Sequence, residues 1–235
     1  MSLTRNISQC QRCGTCCRKG GPALHLEDQE LVESGIIPLK QLFTIRQGEP
    51  AFDNVTGVIA PAVTDIIKIK GVSEGSSICL HYDSATKGCG IYAHRPAECR
   101  ALKCWNTHEI ERLYNCRRLT RRHLLSKVKG LWDLVQDHQE RCDYSHVAEL
   151  AAQLKQVQPV AESHETLLEL IQYDESIRQV IRERANLDPE MLPFLFGRPL
   201  SFTIQMFQLK RVRADQGMQL RALGPTHQQV CYRRQ

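Results

Sequence analysis

The sequence predicts an α+β fold in two parts: a small cysteine-rich domain with a short antiparallel sheet, followed by a helical C-terminal extension. Three observations lead there. Cysteines crowd the first part, at Cys10, Cys13, Cys16 and Cys17 and again at Cys79, Cys89, Cys99 and Cys104. Short β-branched runs bounded by turn residues occupy positions 43–70. Beyond Leu119 the apolar residues recur at helical spacing. The expected organisation is a cysteine-cluster domain over 1–112, a helical extension over 113–214, and a polar, basic, frayed tail over 215–235.

Taken in order, Gly20, Gly21 and Pro22 form a turn after the first cluster. Leu24 to Glu33 reads as a short strand running into a helix closed by Gly35. Thr44–Arg46, Gly57–Ala60 and Ile66–Lys70 are expected strands, with Asp53–Gly57 as a hairpin loop. Pro96 suits the first position of a helix, which puts Cys99 in its first turn. Leu124, Val128, Leu131 and Val135 mark one amphipathic helix, and Val147, Leu150, Leu154 and Val157 a second, which Pro159 stops. Ser163 caps a third through Leu167, Leu170 and Ile171, and Asp174 restarts it toward Ile177, Val180 and Ile181. Asp188-Pro189 is a helix start. Ser201 to Met206 alternates polar and apolar residues and reads as a late strand.

A hydrophobic content of 42% is enough for a core that does not depend on the cysteines alone. The net charge of +5 is too weak to argue for nucleic acid. Arg112, Arg117, Arg118, Arg121, Arg122, Lys127 and Lys129 form the densest basic stretch, and it reads as a solvated helix face because no aromatic residues are interleaved to stack on bases. The first residues lack the apolar run of a signal peptide, and no stretch is long enough to cross a bilayer. The expectation is a soluble, cytoplasmic protein with no membrane attachment, whose partner is another protein or a redox carrier. In that compartment thiols stay reduced, and a total of 11 cysteines, an odd number, further weakens a disulfide framework. Thiols gathered this densely then point to metal.

The spacing says more. A Cys-x-x-Cys turn lets two sulfurs face one metal, and here two such turns share Cys13. Neighbouring side chains diverge in any regular backbone, so Cys16 and Cys17 serve two metals or different irons of one larger cluster. In the second stretch Gly88 and Gly90 flank Cys89 and allow backbone amides to approach a sulfur. Cys99 and Cys104 are too far out of phase for one helix face: the helix ends between them, or they bind different metals. Arg95 and Arg100, with Lys103, lie among these residues as cations that offset thiolate charge, and Arg95 is placed to donate to sulfur or to the cofactor. The ligand pool is therefore Cys10, Cys13, Cys16, Cys17, Cys79, Cys89, Cys99 and Cys104, with His81 and His94 as alternative donors. Cys116, Cys142 and Cys231 stand apart and read as inert thiols.

Four thiolates suit both zinc and iron–sulfur. The second Cys-x-x-Cys turn of a zinc ribbon is missing, as are the Cys-x-x-x-Cys-x-x-Cys triplet of radical-SAM centres and the ferredoxin run. An iron–sulfur cluster, of the 4Fe-4S kind, is preferred to Zn because the clustered thiols exceed what one structural zinc needs. The function expected is metal binding, with a redox or metal-dependent enzymatic role, against a zinc-stabilised structural or interaction role. No Ser/His/Asp grouping, phosphate loop or paired carboxylates assign a catalytic residue.

These residues resemble the YkgJ-like cysteine-cluster family, the zinc- or iron-chelating domain with the motif CxxCxxCC. The likeness rests on Cys10, Cys13, Gly14, Cys16 and Cys17, then Cys79, Gly88-Cys89-x-Ile91-Tyr92, and Arg95-Pro96-x-x-Cys99-Arg100 with Cys104. Asp28, Gly48-Glu49 and Lys68-Ile69-Lys70 extend it. The resemblance implies metal chelation over about residues 8–108. Flagellin lysine N-methylases carry a related signature, which by association implies a protein-lysine-modifying activity, although this chain is short for that role and shows no Gly-rich S-adenosylmethionine loop.

Overall fold

The computed structural model describes residues 10–156, 161–185, 187–214 and 217–223. Short antiparallel pairs and helices share it, with the helices concentrated in the C-terminal region. Strand β1 (Leu42–Ile45) pairs with β4 (Ile66–Ile69), Leu42 opposite Ile69 and Ile45 opposite Ile66. Between them, β2 (Pro50–Phe52) and β3 (Ile59–Pro61) form a hairpin around the loop expected at Asp53–Gly57, where the Asp53 carboxylate accepts the Val55 and Thr56 amides. Alternation sends Leu42, Thr44, Ile67 and Ile69 to the interior, each with almost no exposed surface.

The segment after the first cysteines extends this sheet by backbone bonds. Leu24 donates to the Ile67 carbonyl at 2.8 Å and Ile69 donates to the Pro22 carbonyl at 3.1 Å. On its other side Leu119 donates to the Leu24 carbonyl at 3.0 Å and Leu26 to the Arg117 carbonyl at 2.9 Å. Residues 22–26 are thus an internal rung with both edges paired, which satisfies their buried amides. The chain then turns into α1 (Gln29–Glu33).

Hairpin β5 (Tyr82–Asp83) and β6 (Gly88–Cys89) leads to α2 (Ala97–Ala101) and α3 (His108–Leu113). The rest is mainly helical: α4 (Arg121–Leu125), α5 (Lys129–Arg141), α6 (Tyr144–Leu154), α7 (Ala161–Arg184), α8 (Leu192–Phe196) and α9 (Leu200–Thr203). A closing hairpin joins β7 (Leu209–Ala214) to β8 (Gly217–Ala222).

Several sequence expectations are corrected. The helix drawn through Leu124 to Val135 is two helices, α4 and α5, broken at Ser126–Val128, where β-branched Val128 and nearby Gly130 weaken continuation. Asp174 does not restart α7, which runs unbroken; its buried carboxylate is satisfied by His138, Arg178 and the Leu200 amide, so an acid is tolerated mid-helix. Ser201–Met206 is α9 and a 3-10 turn rather than a strand, because Pro199 opens a helix and Leu200 and Ile204 bury one face at i, i+4 spacing. Within the tail read as frayed from Asp215, Gly217–Ala222 form β8; Val157, Pro159, Asp215 and residues 224–235, Cys231 among them, lie outside the described set. Two arginines of the basic stretch are buried rather than solvated: Arg118 meets Glu98, and Arg121 grips Asp65 with two bonds of 2.7 and 2.9 Å.

The principal core draws on both ends of the chain, with Leu24, Ile37, Leu42, Ile67 and Ile69 packed with Leu119, Leu125, Val135 and Phe194–Phe196. Cys79 and Tyr82 belong to it and Cys17 packs on its edge. The Thr44 hydroxyl donates to the Phe194 carbonyl at 2.7 Å. Arg121 and Arg178 donate to the carbonyls of Leu195, Phe196 and Gly197, where cations suit the end of a helix. A second core gathers Tyr144, Val147, Ala151, Leu167, Ile171, Leu200 and Leu209.

The burial of His138 gives this region a pH dependence. Burial pushes the His138 imidazole down from 6.5 to about 4, against the opposing bond of 2.7 Å to Asp174. Between those values the unfolded chain binds a proton that the folded chain refuses. Stability should therefore be complete above pH 6.5 and drain as pH falls toward about 4, by up to about 3 kcal/mol. Urea unfolding followed at pH 7 and at about pH 4.5 checks this, and His138→Gln should flatten the slope across that window.

Candidate metal centre

The loop Cys10–Cys17 lies against the second cysteine stretch, and the contacts that hold it are specific. Arg12 and Gly14 take left-handed backbone angles, φ 50° and 72°, which curl the loop. Gly14 rests on the Tyr82 ring, where a Cβ would overlap the phenol. Arg18 donates to the Tyr82 hydroxyl at 3.1 Å and to the Cys13 carbonyl at 3.2 Å. The Arg12 guanidinium sits 4.5 Å from the Tyr92 ring centroid and Arg95 sits 3.9 Å from the same ring, so one tyrosine joins the two stretches by cation–π contacts. The Cys79 amide donates to the Cys17 carbonyl at 2.8 Å, and the Ser77 hydroxyl to the Arg18 carbonyl at 2.9 Å.

Cys79 itself lies on a turn back along residues 70–72, held by Val72 donating to Ile78 and Leu80 donating to Lys70, each at 2.9 Å. Tyr82 opposite Cys89 in the β5–β6 hairpin brings the third sulfur alongside. Helix α2 then carries Cys99 in its first turn, as the sequence predicts, although Pro96 is the residue before the helix. Because α2 ends at Ala101, Cys104 is free of its geometry and is exposed.

Cys16, Cys17, Cys79, Cys89 and Cys99 come within electrostatic reach of one another. Burial pushes the Cys99 thiol well up, and the charges of Cys79, Cys17, Cys89 and Cys16 push it further. Cys17 rises from burial and then from Cys16, Cys79 and Cys89; Cys79 rises from burial, with Cys89 and Cys16 adding to it. The Cys16 and Cys17 sulfurs are 3.9 Å apart. Cys13 behaves differently. It is exposed, and hydrogen bonds from Thr15, whose hydroxyl lies 3.2 Å from the sulfur, hold its thiol below the ordinary range. Cys10 is exposed and accepts the Arg12 amide at 3.4 Å.

Among the described residues, no three Cys, His, Asp or Glu side chains close on a common point as tightly as a single bound ion requires. The donor chemistry nevertheless fits zinc or iron. Soft thiols share one partly buried edge where their anions would repel, and a bound cation removes that penalty by holding them as thiolates. His81 is half-buried; burial pushes its imidazole down, and its Nε2 has no partner among the described residues. His94 is exposed.

The two arginines expected beside the cofactor also have protein partners. Arg95 stacks on Tyr92 and donates to its carbonyl at 3.2 Å. Arg100 donates to the Arg95 carbonyl and, at 3.2 Å, to Glu27, so it braces α2. No hydrogen bond joins either to sulfur among the described residues. Cys116 is exposed, and Cys142 is buried in the second core, remote in the chain from the other thiols. Sequence reasoning missed Tyr82, Arg12 and Arg18, and gave Tyr92 no role beyond the motif that carries the resemblance. Gly14 inside the cysteine turn was the available signal, since a glycine there asks what lies flat against it.

Residues 9–117 match the family model CxxCxxCC, whose description reads "Putative zinc- or iron-chelating domain". Over those residues the chain is similar to that family, and the description supports metal binding in general. No curated protein and no solved structure matches the chain.

Metal analysis of variants tests the placement. Cys17→Ser should lose most of the bound metal, whereas Cys231→Ser should keep the wild-type content; equal content in the two would remove Cys17 from the site. Gly14→Ala should unseat the loop from Tyr82 and lower metal retention in a chelator challenge, while far-UV circular dichroism stays unchanged.

Proposed function

We propose that the chain is an iron–sulfur protein whose cluster is held by thiolates drawn from Cys16, Cys17, Cys79, Cys89 and Cys99, with Cys10, Cys13 and Cys104 completing the ligand pool. The observation that carries this reading is the meeting of the first and second cysteine stretches through the Cys17–Cys79 backbone bond and the mutual electrostatics of the thiols behind it. That set holds more sulfurs than the four of a closed zinc site. It also contains an adjacent pair, which different irons of one cluster accommodate more readily than one small ion.

Such a cluster supplies one-electron chemistry. The residues around it divide the remaining work. Tyr82 and the principal core shield one side of the thiols from water, and Arg12 and Arg95 place positive charge at the rim, which favours a more negative centre. A protein redox partner meeting the exposed Cys10–Cys17 loop would complete the function.

A zinc-stabilised structural role is the second reading. It is favoured by the packing of Cys17 against the core that contains Cys79, where a metal would staple the loop to the fold. Purification without oxygen separates the two. Iron with acid-labile sulfide and a brown colour with broad visible absorption is the expected result. A colourless protein carrying stoichiometric zinc, which unfolds on chelation, would reverse the assignment.

A further inference from the structure

The helix that presents Cys99 is tied to the chain leaving the first cysteine turn by two carboxylates pointing in opposite directions. Asp28 has no exposed surface; its Oδ1 accepts the Ala97 amide at 2.8 Å and its Oδ2 the His25 amide at 3.0 Å. Glu98 returns the tie. Its Oε2 accepts the Ala23 amide at 2.7 Å and its Oε1 accepts from Arg118 Nη1 at 2.8 Å. His25 joins the same cluster: its Nδ1 donates to the Cys116 carbonyl at 2.7 Å, and its Nε2 lies 3.3 Å from both Arg118 Nη1 and Glu98 Oε1.

We infer that Asp28 and Glu98 are positioning residues for the metal centre, a latch that fixes Cys99 relative to Cys16 and Cys17. The inference rests on the reading of these cysteines as metal ligands. Helix α2 has 5 residues, far too few to hold its own axis, so its direction comes from whatever satisfies its first amides. Asp28 satisfies one of them from outside, and Glu98, next to Cys99, anchors the helix to Ala23. Residues 22–26 are already fixed by paired backbone on both sides, so the added constraint of the two carboxylates falls on α2. Burying carboxylates costs more than burying apolar side chains of like size, and orientation of the neighbouring ligand is what that cost secures.

The test uses the full chain, stripped of metal and kept anaerobic, with Co(II) as the probe and the variants Asp28→Asn and Glu98→Gln, which preserve shape. Co(II) affinity should fall about 10- to 100-fold in each, with a weaker thiolate-to-cobalt absorption per bound ion as the Cys99 sulfur drops out. The urea midpoint of the loaded variants should fall further than that of the metal-free variants, since lost affinity is lost stability only when metal is present. Wild-type affinity and absorption in both variants, or equal shifts of the loaded and metal-free midpoints, would reduce the pair to an ordinary structural tie and overturn the inference. Failure of the wild-type chain itself to bind Co(II) would instead bring down the metal-ligand reading and the latch with it. Should Asp28→Asn not fold, Glu98→Gln alone decides, because the backbone bonds of residues 22–26 to 67–69 and 117–119 do not use its side chain.

Discussion

The two cysteine stretches meet because the chain between them is threaded, backbone to backbone, through the middle of the fold. Residues 22–26 bond to 67–69 on one side and to 117–119 on the other. Leu24 at the centre of this rung is fully buried, so the register is set by burial as well as by hydrogen bonds. Cys17 lies a few residues before the rung, and Cys79 follows the strand beside it after one turn. Beyond the rung, the Cys79 amide bonds to the Cys17 carbonyl and joins the two cysteine stretches directly. A slip of one residue in this pairing would turn Leu24 outward and carry the cysteine loop to the wrong face.

The C-terminal region matters to the site through packing rather than through ligands. Phe194–Phe196 fill the core under β1, and Arg121 and Arg178 hold that short helix by its terminal carbonyls. The counter-charges are buried with them, Asp65 for Arg121 and Asp174 for Arg178, so neither guanidinium is stranded. Arg46 is the more costly member. It is fully buried, donates to the Cys142 carbonyl at 3.1 Å and lies 4.4 Å from the Tyr144 ring centroid, yet its Nε and Nη2 have no hydrogen-bond partner among the described residues. These groups brace the sheet beyond whose far end Cys79 pairs with Gly71, and a rigid support is what a thiolate site needs if its sulfurs are to wait close together.

Much of the cysteine-rich part was legible. The strands near Thr44 and Ile67, the hairpin loop at Asp53, and the placing of Cys99 at a helix start follow from local chemistry, since turn residues and β-branching act over a few positions. The errors fall where a local pattern had two solutions. Alternation over Ser201–Met206 and the i, i+4 pair Leu200 and Ile204 describe the same residues, and burial against Tyr144 and Leu167 chose the helix. Asp174 looked like a helix start because an isolated acid prefers one; His138 and Arg178, far from it in the sequence or a turn away, made it an interior residue.

What the sequence by itself determined is the chemistry: thiols in two dense stretches, glycines beside them, and cations nearby, because spacing and residue type are local facts. What only the tertiary structure decided is which of those thiols face one another and what holds them there. The Tyr82 and Tyr92 contacts, the carboxylates of Asp28 and Glu98, and the bond of Arg100 to Glu27 all join residues distant in the chain. Such contacts depend on the register of a backbone ladder, a property that no run of neighbouring residues encodes.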